Sequence, residues 1–116
     1  MTEQADLQKY PKIYSGKYAE IYDLSSELPH TIFAFWKGFF QISDRNFLKE
    51  MSETPKLIKN KNVKICISDH SYLKVVSSEV LNWLHNNWYK NSSAYGLLLE
   101  LSIDTQSAKK KHRNYF

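Results

Sequence analysis

Along this chain the spacing of apolar residues switches between two periods, and each switch marks an element. Between Lys12 and Asp23, Ile13, Tyr14, Tyr18, Ile21 and Tyr22 are strand material broken by a turn near Ser15-Gly16. Ser25, Ser26 and Pro29 then supply turn chemistry. The run from Thr31 to Phe40 is β-branched and aromatic at nearly every position, which predicts a strand buried on both faces. Ser43-Asp44 predicts a helix start, with a capping hydroxyl followed by an acid in the first turn. Phe47, Leu48, Met51 and Ile58 recur at helical spacing, and Thr54-Pro55 predicts a break and restart within that helix.

The second half repeats the alternation. Val63 to Ser68 predicts a strand, followed by a loop from Asp69 to Lys74. Ser77 or Ser78 is placed to cap a second helix, with Val80, Leu81, Leu84 and Trp88 as its buried stripe. Asn91-Ser92-Ser93 and Gly96 end it. Leu97, Leu99, Leu101 and Ile103 then alternate with Leu98, Glu100 and Ser102, a strand pattern. The order β-β-α-β-α-β, with room for a short extra strand at the start, predicts one small α/β domain. Its mixed sheet has four to five strands, and its two main helices lie in crossovers between parallel neighbours. Residues 1–9 are read as a flexible N-terminus, 10–104 as the domain and 105–116 as a basic tail.

Charge sharpens the picture at one end only. Residues 1–104 hold twelve acids and twelve bases, so the net charge of +4 comes entirely from Lys109, Lys110, Lys111 and Arg113. The body is therefore no basic surface, which argues against a nucleic-acid-binding domain, and the tail is expected to be a solvated end. At 116 residues a second core does not fit, while eight Tyr, six Phe and three Trp furnish a substantial single one. The lone Cys66 has no partner for a disulfide, and no apolar stretch approaches the length of a membrane span. A cytoplasmic protein is the expectation.

Candidate chemistry is sparse. Asp69, His70 and Ser78 lie where α/β sheets place their sites, beyond strand ends and near helix starts. A small enzyme using these three is one alternative reading. No GxSxG elbow or phosphate-binding glycine loop supports it, and the histidines lack metal-ligand spacing, so no enzyme, metal or cofactor is expected. Ser77 and Ser78 suit capping, and a phosphate there would sit against free N–H groups at the helix start. Trp83 and Tyr89 are candidates for the rim of an apolar crevice that takes a small molecule or lipid, the other alternative.

Three segments resemble STAS-like domains, the sulfate transporter and anti-sigma antagonist superfamily. The likeness is to short stand-alone bacterial members related to CRAL-TRIO-like proteins. The first segment is Ile32-Phe33-Ala34-Phe35-Trp36-Lys37-Gly38-Phe39 leading to Ser43. The second runs from Asp69-His70-Ser71-Tyr72 to Ser77, and the third is the helix with Trp83-Leu84 and Asn87-Trp88. The resemblance implies a regulatory module that binds another protein without turnover, with Ser78 at the position of the phosphorylated serine and Asp69 at that of the preceding aspartate. The family pattern Asp-Ser-x-Gly-Leu reads Ser77-Ser78-Glu79-Val80-Leu81 here, without the Asp and Gly. The family's final helix is also missing from the pattern. Its loss would bare one sheet face, which a second copy of the chain could cover as a homodimer.

Overall fold

The computed structural model describes residues 7–73, 77–103 and 111–115, the last group by their backbone. The expected single α/β domain with a mixed sheet and two main helical segments is what forms. Strands β1 (Lys12–Ser15), β2 (Ala19–Asp23), β3 (Thr31–Gly38), β4 (Ile65–Leu73), β5 (Leu99–Ile103) and β6 (Lys111–Tyr115) lie side by side in chain order. The first three form an antiparallel meander, β3, β4 and β5 run parallel, and β6 returns antiparallel to β5. The sixth strand comes from the segment read as a solvated tail. Its backbone pairs with all five residues of β5, an edge that tail composition alone does not reveal.

Both parallel connections advance in the same direction across the sheet. Right-handed crossovers then put both helical segments on one face. The first crossover carries α1 (Arg45–Glu53) and α2 (Pro55–Asn60), and the second carries α3 (Ser78–Leu84), a π-helical turn (His85–Tyr89) and α4 (Lys90–Ala94). The cap of α1 is Asp44 itself, one residue later than expected. A carboxylate accepts from two N–H groups, those of Asn46 at 2.9 Å and Phe47 at 3.4 Å. Pro55 restarts the helix as expected, and the hinge residue Thr54 accepts a 2.9 Å bond from Trp88 Nε1, tying the two crossovers together. At the end of α4, Gly96 has φ +115°, and the N–H groups of Gly96 and Leu97 close onto the carbonyls of Ser93 and Ser92. This is the left-handed stop that glycine favours.

Two elements differ from their predicted form. The run Asp69-His70-Ser71 is strand, not loop, because β4 is central and stays paired with β3 as far as Leu73, with one irregularity opposite Phe35–Lys37. In the second helix Leu81 is 47% exposed, while Val80 and Trp88 are buried. The π turn adds a residue to the spiral, so the inward stripe runs through Val80, Leu84 and Trp88.

The main core lies between sheet and helices. Ile32, Ala34 and Trp36 of β3 meet Phe47, Met51 and Trp88, with Trp36 and Trp88 edge to face at 5.4 Å. On the opposite face a smaller cluster forms where Leu7 packs with Tyr22, Leu24, Phe33 and Phe35, joined by Tyr10, Ile67 and Ile103.

Candidate functional site

Alternation along β5 decides what each side of the sheet offers. Glu100 and Ser102 are the buried residues of this strand, whereas Leu99, Leu101 and Ile103 are half-buried. Glu100 pairs with Cys66 of β4, and paired residues share a face, so the polar row of β5 points to the helices. The apolar row points away from them.

The inward acid is fully engaged. Glu100 is 1% exposed and accepts from Ser68 Oγ at 2.7 Å and from Tyr89 OH at 3.0 Å. Ser68 in turn accepts from Trp36 Nε1 at 3.0 Å. Its one hydroxyl proton goes to Glu100, so the 3.5 Å contact with Cys66 has the thiol as donor. Burial, reinforced by Glu100, pushes both the Tyr89 hydroxyl and the Cys66 thiol up, away from ionisation. Shut off from water, the cluster anchors the second crossover to the sheet.

The outward row is a different kind of surface. Ile65, Leu99 and Leu101 belong to neither core cluster among the described residues, and Ile67 and Ile103 border the smaller one. Register confirms their common side: Ile65 pairs with Leu99, Ile67 with Leu101 and Asp69 with Ile103. At the carboxyl end of β4 the same face carries Tyr72, 51% exposed, whose ring lies 6.0 Å from that of Phe35. The result is an aliphatic strip over β4 and β5 with an aromatic at one end and no helix among the described residues to cover it.

The residues singled out in the sequence are spread over both faces. Asp69 is buried in mid-strand on the side away from the crossover helices, where its Oδ1 accepts from the N–H of Ser71 at 2.9 Å and from the Ser71 hydroxyl. Ser77 caps α3 through a 3.1 Å bond from Val80 N–H, and Ser78 is the first helical residue, exposed. Trp83 is half-buried against Phe47, ring centroids 5.8 Å apart, and Tyr89 turns its hydroxyl inward to Glu100. His70 is half-buried between Asp69 and Ser71. Sequence reasoning missed Ser68 and Glu100. The only trace they leave is a lone acid within an otherwise apolar alternation.

Among the described residues no group of three or more His, Cys, Asp or Glu could hold a metal ion, and no helix is long and apolar enough to cross a membrane. No family model matches the chain, and no curated protein or solved structure matches it either. The structure thus defines a class, a small α/β domain with both crossover helical segments on one sheet face, and the half-buried aliphatic row on the other face is the surface that calls for a role.

Proposed function

We propose that the domain is a protein-binding module of the regulatory kind, and that the aliphatic strip of β4 and β5, on the face away from the crossover helices, is its contact surface. The observation that carries this reading is the placement of Leu99, Leu101 and Ile103. A strand with one polar and one apolar row normally buries the apolar one, yet here Glu100 and Ser102 are buried and the aliphatic row stays half-open. An aliphatic row left only half-buried has apolar surface to offer a partner. The STAS-like resemblance belongs to the same proposal, supported by crossover helices on one sheet face and by Ser78, exposed at the head of α3, where a regulatory phosphate would sit. The buried lone thiol of Cys66 supports a reducing compartment such as the cytoplasm.

Site-specific photocrosslinking in the native host tests the reading. A photoreactive residue at Leu101 is expected to give a discrete adduct with one other protein. That protein should bind the purified domain and lose binding to Leu101→Asp, whose cooperative melt is checked alongside. Adducts no more frequent from Leu101 than from exposed Glu53 on the helical side would reject the face as a contact surface.

A further inference from the structure

Charge balances over the body of the chain but is not evenly placed. Residues 54–68 hold Lys56, Lys59, Lys61 and Lys64 and no acid, and residues 80–99 hold Lys90 and no acid. The fold brings these stretches together at the end where the parallel strands begin. His30, Lys64 and Leu98 immediately precede β3, β4 and β5. The N–H groups of Lys64 and Ile65 donate to the His30 carbonyl at 2.8 and 3.0 Å, and those of Leu98 and Leu99 to the Lys64 carbonyl at 2.9 and 3.2 Å. In the helical layer α2 and α4 pack together beside this edge. Lys59 Nζ lies 5.9 Å from the centre of the Tyr95 ring, and a Cβ on Gly96 would stand 3.2 Å from Lys64 Nζ. Two ammonium groups therefore flank the Tyr95-Gly96 turn, with Lys56, Lys61 and Lys90 exposed on the elements around it.

The acids at this end are already engaged. Asp23 accepts from the N–H of Ser25 at 2.9 Å and lies near Lys61, and Glu27 accepts from the Tyr10 hydroxyl and pairs with Lys9 at 3.8 Å. Among the described residues Lys56, Lys59, Lys64 and Lys90 make no ion pair. Apolar side chains stand out of the same end. Of the six large apolar residues exposed among the described residues, Leu28, Tyr95 and Leu98 lie in the loops here, and Leu98, at 57%, is the most exposed of all six.

We infer that this end of the domain docks on an anionic lipid bilayer. Leu28 and Leu98 dip below the headgroups, the Tyr95 ring sits at their level, and the lysines meet the lipid phosphates and carboxylates. Each group suits its place. Aliphatic tips gain by leaving water, tyrosine favours the interface, and lysines hold to an anionic leaflet while their stems lie along the apolar boundary. A nucleic acid would bind the lysines and leave both leucines in water. A protein partner would have to cover a cluster of lysines, a residue that protein interfaces avoid. The protein contact surface proposed above lies on a sheet face and this one on loop tips and helix ends, so either can fail without the other.

Co-sedimentation of the purified full chain with vesicles of phosphatidylcholine, alone or mixed with phosphatidylserine, is the test. Binding is expected to the mixed vesicles only, and it should weaken as salt is added. Lys59→Gln/Lys64→Gln should weaken it roughly thirtyfold, about fivefold per lysine, and the exposed pair Lys56→Gln/Lys90→Gln by a similar factor. Leu98→Ser should weaken it roughly fivefold, as an aliphatic tip is lost. Leu81→Ser, exposed in α3 away from this end, should leave it unchanged. A cooperative melt is checked for each variant. Absence of binding to either vesicle overturns the inference, and so does equal binding to both. Binding that neither lysine pair weakens belongs to cations elsewhere in the chain and overturns it too. Polyuridylate held by the unaltered chain and lost in both lysine variants, without vesicle binding, assigns the end to nucleic acid instead.

Discussion

Tyr18 joins three parts of the fold through three different groups. Its backbone N–H donates to Glu50 at 3.0 Å, its hydroxyl donates to Asp44 at the head of α1, and its ring meets Phe40 and Phe47 edge to face at 5.8 and 5.5 Å. Glu50 holds the β1–β2 turn from the helix side, and a side chain at Gly16 would overlap its carboxylate, which is why glycine stands there. Burial pushes the Glu50 carboxyl up against the opposing pull of the turn's N–H groups. The Tyr18 hydroxyl, held by Asp44 and then by burial, is pushed up to about 12. Tyr14 reaches about 12 as well, through burial first and Glu50 second. In both, the folded state keeps its proton beyond the ordinary tyrosine value of 10.0. The stability they contribute is therefore whole below about pH 10 and is lost as the pH rises through about 12. Phenolate absorbance on alkaline titration checks this. In Tyr18→Phe the late-rising part should shrink by one tyrosine and the part near pH 10 should be unchanged. Loss from the early part instead would mean that Tyr18 is an ordinary phenol.

Helix phase is where sequence and structure part most clearly. The expected stripe held Val80 and Leu81 together with Leu84 and Trp88, but with the π turn from His85 to Tyr89 Val80 stays inward and Leu81 is turned out. Val80→Ala should then cost about 1–2 kcal/mol in urea unfolding, from lost methyl groups and the cavity left behind. Leu81→Ser should stay within roughly 0.5 kcal/mol, as surface changes do. The reverse order would restore the uninterrupted helix. Features with local chemistry were legible: the restart at Pro55, the stop at Gly96, and the strand from Thr31 buried on both faces. The π turn was not, because no residue type marks it. Nor was the orientation of β5. A period of two separates Leu99, Leu101 and Ile103 from Glu100 and Ser102 without saying which set faces the helices. That choice depends on Ser68 and Tyr89 arriving from elsewhere to satisfy the acid. Asp69-His70-Ser71 looked like loop for a related reason: its polarity is visible in sequence, but its pairing to Phe35 and Ile103 on either side is not.

At the scale of the whole molecule, β6 decides how the sheet ends. Without it β5 would be the edge, offering unpaired N–H and C=O groups beside an aliphatic row, the template for strand-to-strand association. With it, the border carries Lys111 and Arg113, and charged edge strands resist such pairing. Among the residues whose side chains are described, the members of both core clusters all precede β6. A chain shortened to end at Asp104 should therefore still unfold cooperatively, with its formal net charge reduced from +4 to zero by the loss of Lys109, Lys110, Lys111 and Arg113. It should also self-associate as its concentration rises in sedimentation velocity, while the full chain does not. Placing Leu101→Lys in the shortened chain should suppress that association, because the new charge returns a cation to the exposed border. If the shortened chain instead sediments as an unchanging monomer, β6 is not the guard of this edge, and the cations it carries would have to be explained by the partner alone.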